Sequence, residues 1–299
     1  MVLPRQDARS NGDLPKTAFF TVVYPEVKPF LADFFASLQR QTNQHFDVIV
    51  FNDGLGDYDF ACEGLGLDVV DCGGTPAAIR QQGLEYLIAH GYVNVVFGDS
   101  DDYFSSGRVE KSIELLQHYD VIVNDVSLVD KEGKLLLADY FSSRIDHLEN
   151  VDRNFINDRN IFGLSNTAVR LSVMQGIDCP KDVIAADWYL FSRILAKRAS
   201  AVFSSAWKTF YRQHGANTAG FQQMTPARVL AGVKCKSLHY RATSCFSPTD
   251  KRKASAFSAL YRDLLADESS LLQYCDFLEK RRIRNPFWWE EIVLPERMT

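Results

Sequence analysis

Val93-Asn94-Val95-Val96-Phe97-Gly98-Asp99-Ser100-Asp101-Asp102 is the stretch from which the rest of the chain is best read. A short, mostly apolar run of β-forming residues leads directly into three carboxylates within four positions. Such a run predicts a buried strand. Three carboxylates at its end repel one another unless something positive joins them, and in open α/β sheets ligands bind just past the carboxyl ends of strands. A hard divalent cation, held by one or two carboxylates and by substrate phosphates, answers that arrangement. A solvated acidic turn capping the next helix is the plainer alternative, because aspartate is common in turns and caps.

Working outward, the N-terminal side alternates strand and helix. Residues 19–24 form a short apolar run closed by Pro25. Phe30, Leu31, Phe34, Phe35 and Leu38 follow at helical spacing, and residues 46–51 form a second buried run ending in the turn signal Asn52-Asp53-Gly54. A third strand, 67–71, leads into Gly73-Gly74. Thr75 then reads as an N-cap with Pro76 at the first helical position, Ile79, Leu84, Leu87 and Ile88 as the apolar face, and Gly91 as the stop. Beyond the acidic stretch, Val109, Ile113 and Leu116 mark a helix and 121–123 a strand. A turn at 130–134 joins 126–129 to 135–140. Alternation of this kind predicts an α/β fold with a mixed, mostly parallel sheet flanked by helices, the hairpin adding an antiparallel portion. From about residue 222 the pattern turns helical, over 227–240 and 251–280. The expected division is a polar tail over 1–16, a sheet-bearing domain over 17–221 and a helical C-terminal region over 222–299.

Composition narrows the partners. The 299 residues carry a net charge of -5, from 33 Lys and Arg against 38 Asp and Glu, so no global basic field attracts nucleic acid. No apolar run approaches the roughly 20 residues of a membrane-spanning helix. Residues 1–16 hold no continuous apolar stretch, so no secretory signal is expected. The six cysteines form no Cys-x-x-Cys pair, which points to reduced thiols in a cytoplasmic protein.

Further side chains carry chemistry. Asp53, at the end of the second strand, suits a nucleobase N–H or a ribose hydroxyl, and is otherwise a turn former. Arg80, in the helix after Gly73-Gly74, suits a diphosphate, and alone reads as a surface ion-pair partner. In 207–220 an apolar strand runs into a polar loop, where Arg212 suits phosphate charge and His214 a metal or phosphate. Asp187 opens an amphipathic run with Trp188, Phe191, Ile194 and Leu195, and serves either as helix-dipole complement or as general base. Near the C-terminus, Lys280-Arg281-Arg282-Ile283-Arg284 precedes Phe287-Trp288-Trp289. Clustered cations beside paired tryptophans suit a peripheral membrane contact. The alternative is that the aromatics pack inward and the cations form a solvated helix end.

In this order the motifs resemble those of family 2 glycosyltransferases of the GT-A fold, of the type found in bacterial surface-polysaccharide synthesis. The matching segments are residues 46–54, the Gly/Ala-rich stretch 75–83, Asp99-Ser100-Asp101-Asp102, Ala186-Asp187, and Tyr211-Arg212-Gln213-His214-Gly215-Ala216-Asn217-Thr218. The likeness covers about 17–220. Asn52, Leu55, Gln81 and Ala186 depart from the commoner family residues, and no Gln-x-x-Arg-Trp segment of processive polymerases is present.

The resemblance implies an inverting, metal-dependent enzyme. It would move one sugar from a nucleoside diphosphate sugar, UDP being the favoured nucleotide, to a hydroxyl of a glycan or lipid-linked acceptor. Tyr24, Glu26 and Asp53 would line the nucleoside pocket, Arg80 would lie near the base or diphosphate, and Asp99 would meet the ribose, with Ser100 and Arg212 also at the donor. Asp101 would hold Mn2+ or Mg2+, His214 would approach the same metal, and Asp187 would be the base. The alternative is a degenerate domain of this fold that binds nucleotide or glycan without turnover. The implied location is cytoplasmic, at most peripheral to the inner face of a membrane.

Overall fold

Phe19 sits at the centre of an aromatic cluster that anchors the sheet. Its ring lies 5.9 Å from Phe34, 6.2 Å from Phe46 and 5.2 Å from Phe104, so the first strand, the first helix and the segment after the acidic stretch share one core. The structure is a computed structural model that describes residues 15–60, 64–214 and 225–295. Cys62, most of the N-terminal tail and Gly215 to Thr218 of the loop motif lie outside the described residues.

The described chain divides into two compact units. The first runs through Val151 and adds Leu164–Gly176 and Ala199–Arg212. The second comprises Asp152–Gly163, Ile177–Arg198 and the remainder from Gln213. Two internal segments pack with the C-terminal helices.

In the first unit, β1 (Thr17–Val23) is followed by a 3-10 turn over Pro25–Phe30 and α1 (Leu31–Gln39). Then come β2 (Asp47–Asn52), β3 (Gly66–Asp71), α2 (Pro76–Ala89), β4 (Asn94–Phe97), the two-residue β5 (Tyr103–Phe104) and α3 (Arg108–Leu115). β6 (Val121–Val129), β7 (Leu135–Leu137), β8 (Thr167–Arg170) and β9 (Ala201–Arg212) complete it. The sheet order is β3-β2-β1-β4-β8-β6-β9-β5, with β7 paired to β6. β3, β2, β1 and β4 are parallel, and β8 lies antiparallel between β4 and β6.

The chain builds leftward from β1 through β2 to β3 and then returns to the other side of β1 as β4. That reversal opens a crevice at the carboxyl ends of β1 and β4, where α/β sheets bind ligands. The two short strands expected at 121–123 and 126–129 are one. Asn124 and Asp125 do not break it, because their polar groups are satisfied inside. The Asn124 amide donates to Asp125 O (2.8 Å) and to Thr209 Oγ1 (3.2 Å), and the Asp125 carboxylate accepts from Val126 N, Phe141 N and Ser142 N.

The second unit holds α4 (Ala186–Ala196), α5 (Pro226–Thr243), α6 (Pro248–Ala266) and α7 (Glu268–Lys280). The single helical stretch expected at 251–280 is split at Asp267, whose side chain accepts from Ser269 N and Ser270 N and so caps α7. Trp188 of α4 stacks on His239 of α5 at 3.7 Å and 9°, which draws α4 into this unit. At the C-terminal end Phe287 and Trp288 are buried, while Lys280, Arg281, Arg282 and Arg284 stay exposed. Phe287 and Trp288 thus pack inward, while Trp289 stays partly exposed. Among the described residues no helix is long and apolar enough to cross a membrane.

Candidate functional site

Each residue of the acidic loop after β4 is held differently. Gly98 comes first, and any side chain there would force the core to shift: a Cβ would lie 2.5 Å from the Phe19 ring and 2.8 Å from that of Phe104. The backbone therefore turns tightly over the aromatic core. Asp99 accepts from Arg80 Nη2 at 2.7 Å, both side chains being partly exposed. Ser100 is buried and donates to Val22 O at 2.6 Å, tying the loop to the end of β1. Asp101 is partly exposed. Asp102 is buried and accepts from Ser165 Oγ and from Arg212 N, the latter at 2.7 Å.

Electrostatics follow this division. Burial first, then Asp101, push the Asp99 carboxyl up, with Arg80 and Arg108 opposing. Burial, with Asp101 and Asp99 adding to it, pushes Asp102 well above the usual carboxylate range. Asp102 is thus a poor candidate for facing substrate: it joins the loop to β9 and to the segment before β8.

Arg80 reaches Asp99 because α2 runs unusually close to β1. A Cβ on Gly83 would stand 2.2 Å from the Phe20 ring, so only glycine permits the approach. Thr75 caps this helix as expected, accepting from Ala78 N at 3.3 Å. Tyr24, just past β1, belongs to the same neighbourhood. Burial, then the Asp101 and Asp99 carboxylates, drive its hydroxyl well above the ordinary phenol value. Glu26 is exposed in the 3-10 turn that follows. Asp53 donates its backbone N–H to Val23 O at 2.8 Å, which holds the end of β2 beside that of β1. Cys72 lies nearby, its thiol raised by burial, Asp53 and Asp71 and lowered by Arg80. Tyr24, Asp53, Arg80, Asp99, Ser100 and Asp101 therefore gather at the carboxyl ends of neighbouring strands.

Arg212 is the exception among the expected donor contacts. It is 1% exposed and its guanidinium is engaged by protein acceptors: Asp101 O, Lys131 O and Asp33 Oδ2, each at 2.8 Å.

Arg108 was not signalled by the sequence. It is fully buried between the rings of Phe104 (4.3 Å) and Phe19 (5.5 Å), and Nη2 donates to Phe97 O. Nε and Nη1 have no hydrogen-bond partner among the described residues. Burial pulls its proton affinity down to about 9, while Asp102 and Asp99 hold it up, so it stays a cation beneath the acidic loop at neutral pH. Ser165 was likewise missed. It binds Asp102 and accepts from Asp99 N at 3.3 Å, but it lies some sixty residues away with no motif around it.

Asp187 and His214 belong to the second unit and are described within it. Asp187 is the second residue of α4, and Asn160 Nδ2 donates to its Oδ2 at 3.0 Å. Asn160 is wholly buried. It is locked by Phe162 through its own side chain and by Trp288 through its backbone, so it orients the carboxylate rigidly. Burial first and Asp187 second push the Cys179 thiol to about 11. His214 follows β9 by two residues and is partly buried.

Among the described residues no three His, Cys, Asp or Glu side chains converge as a cation cage. Mg2+ and similar ions commonly take one or two carboxylates and complete their shell with water and substrate phosphates. A part-exposed Asp101 beside Asp99 fits a cation of that kind arriving with a diphosphate.

No protein-family profile and no curated protein matches this sequence. Solved structures do. The fold is similar to that of S. aureus TarS 1-349, at 17% identity over 76% of this chain and a TM-score of 0.55. This chain spans 65% of the length of that structure. The same protein in complex with UDP-GlcNAc gives 16% identity over 81% of this chain and 71% of that one, with a TM-score of 0.59. The mannosyltransferase PcManGT from Pyrobaculum calidifontis, in complex with GDP-Man and Mn2+, is similar at 15% identity over 93% of this chain and 77% of that one, with a TM-score of 0.53. The fold of the chain is that of GT-A glycosyltransferases.

Proposed function

We propose that the chain transfers a single sugar, with inversion, from a nucleoside diphosphate sugar to a hydroxyl acceptor. UDP is the proposed nucleotide, and the proposed acceptor is a glycan or lipid-linked saccharide of a bacterial surface. One observation carries the reading: Tyr24, Asp53, Arg80, Asp99 and Asp101 gather at the carboxyl ends of β1, β2 and β4, where the sheet reverses direction. The similar folds solved with UDP-GlcNAc and with GDP-Man and Mn2+ support it.

In this reading Tyr24, Glu26 and Asp53 line the nucleoside, and Asp99, held by Arg80, accepts from the ribose. Ser100 fixes the loop to β1. Asp101 would hold Mn2+ or Mg2+, and His214 is proposed as a metal or phosphate ligand. Such an ion supplies Lewis-acid stabilisation of the diphosphate as it leaves. Asp187, steadied by Asn160, takes the acceptor proton as the new bond forms, and a single displacement inverts the anomeric centre. The exposed Lys280, Arg281, Arg282 and Arg284 are the proposed contact with an anionic membrane surface, the protein acting from the cytoplasmic side.

The test is thermal stability with UDP-, GDP- and dTDP-sugars, each with and without Mn2+, followed by transfer assays with the sugar that binds. A ligand that binds the folded state raises the melting temperature by mass action. A Mn2+-dependent shift with one nucleotide class is expected, absent in Asp101→Asn. Asp187→Asn should keep the shift and lose about 10²-fold or more of transfer. No shift with any donor refutes the reading, and a shift without transfer favours a binding domain that does not turn over.

A further inference from the structure

We propose that Arg212 is a positioning residue of the diphosphate site and acts through Asp101. The inference rests on the donor-site reading above. Two donors of Arg212 grip neighbouring residues of the acidic loop. Its backbone N–H meets Asp102 Oδ1 at 2.7 Å, and its Nε meets the carbonyl of Asp101 at 2.8 Å. One residue thus holds the main chain of Asp101 and the side chain of Asp102 together.

The guanidinium is itself fixed from three directions. Nη1 donates to Lys131 O in the turn between β6 and β7, and Nη2 to Asp33 Oδ2 in α1, both at 2.8 Å. The planar group lies 4.9 Å from the Phe30 ring and 5.5 Å from that of Tyr103. Tyr103 in turn donates to Gly133 O at 3.0 Å. Gly133 has φ +83°, and a Cβ there would stand 3.5 Å from Arg212 Nη1, so the turn lies beside the guanidinium. The direction in which Asp101 presents its carboxylate is therefore set by a rigid fork anchored in α1, in the β6–β7 turn and at the end of β9. A lysine cannot reproduce this, since a single ammonium has neither the Nε donor nor the planar spread. Asp99 and Ser100 have their own anchors in Arg80 and Val22, so the effect of Arg212 falls on Asp101 and Asp102.

The test is the full-length Arg212→Lys variant, with Arg212→Gln as the second form. The first readout is a crystal structure without ligand. The Asp101 carboxylate should shift by about 1 Å or more while the parallel strands superpose, since supporting groups must hold a site to within about 0.5 Å. The second is UDP binding by calorimetry across a Mn2+ titration. The Mn2+ needed for half-maximal binding should rise about tenfold or more, the usual cost of removing an outer-shell partner, while metal-free UDP affinity stays within about twofold of wild type. An unmoved Asp101 overturns the proposal. So does a loss of metal-free UDP affinity, which would make Arg212 a direct nucleotide ligand, and so does failure of both variants to fold, which would assign it to folding alone. Should the wild type bind no nucleotide at any Mn2+ concentration, the donor-site reading fails, and the crystallographic readout still decides whether Arg212 sets Asp101.

Discussion

Replacing His239 with phenylalanine should make the protein more resistant to mild acid. His239 is 1% exposed, stacks on Trp188, and neither ring nitrogen has a hydrogen-bond partner among the described residues. Burial, then the cations Arg153, Lys236 and Lys253, hold its proton affinity well below the ordinary imidazole value. The folded ring stays neutral where the unfolded ring takes up a proton, near pH 6.5. Below that pH the unfolded state binds more protons, so stability falls as pH drops, at a limiting slope of about 1.4 kcal/mol per pH unit.

Between pH 7.5 and 5 the loss is about 2 kcal/mol, a large share of an ordinary domain's stability. The neighbouring carboxylate Asp158 does not confuse this window. Burial opposes its ionisation, but Lys253, Lys236 and Tyr240 prevail and hold it below its usual value, so its contribution is lost only in stronger acid. Asp250, paired with Arg153, completes the charged surroundings. The phenyl ring of His239→Phe keeps the stack and removes two buried unpaired nitrogens, so the variant should match or exceed wild-type stability at pH 7.5. Urea unfolding followed by tryptophan fluorescence at half-unit pH steps measures both slopes. Trp188, Trp288 and Trp289 all belong to the second unit. A variant that retains the wild-type acid slope would refute the reasoning.

Three other expectations follow, two in the first unit and one in the second. Gly98→Ala forces a methyl into the rings of Phe19 and Phe104 and should cost about 1–3 kcal/mol; an unchanged melting temperature would contradict the packing described. Arg80→Met removes the counter-ion of Asp99 at a part-exposed site. Global stability should change by less than about 1 kcal/mol, while donor affinity, measured by calorimetry, falls about tenfold. Asn160→Ala frees the Asp187 carboxylate, and transfer should drop with donor affinity intact; equal losses of both would deny Asn160 an orienting role.

The sequence made the strands around the acidic loop legible because each is a local apolar run with a turn signal at its end. Thr75-Pro76 declared the start of α2 for the same local reason. What escaped was set by distant partners. β5 is two residues long and exists because Tyr103 and Phe104 pair with Phe210 and Thr209. β8 is a four-residue insertion held by β4 and β6. Arg212 looked like a phosphate ligand because an arginine beside a polar loop reads as solvent-facing, and nothing nearby in sequence announces Asp33 or Lys131 as its acceptors. Asp267 looked like a helix interior because its neighbours continue the helical pattern; only its capping bonds break it.

The interleaving of the two units has a consequence for synthesis on the ribosome. α4 leaves the exit tunnel well before its packing partners: some thirty residues separate its end from the start of α5. Through that interval Trp188 lacks His239 and Tyr240, and the face of α4 that ends up buried is uncovered. Meanwhile β6 cannot gain its long parallel neighbour until β9 has been made. A nascent chain of this protein therefore carries apolar surface in both halves at once, the condition under which chaperones bind and truncated chains aggregate.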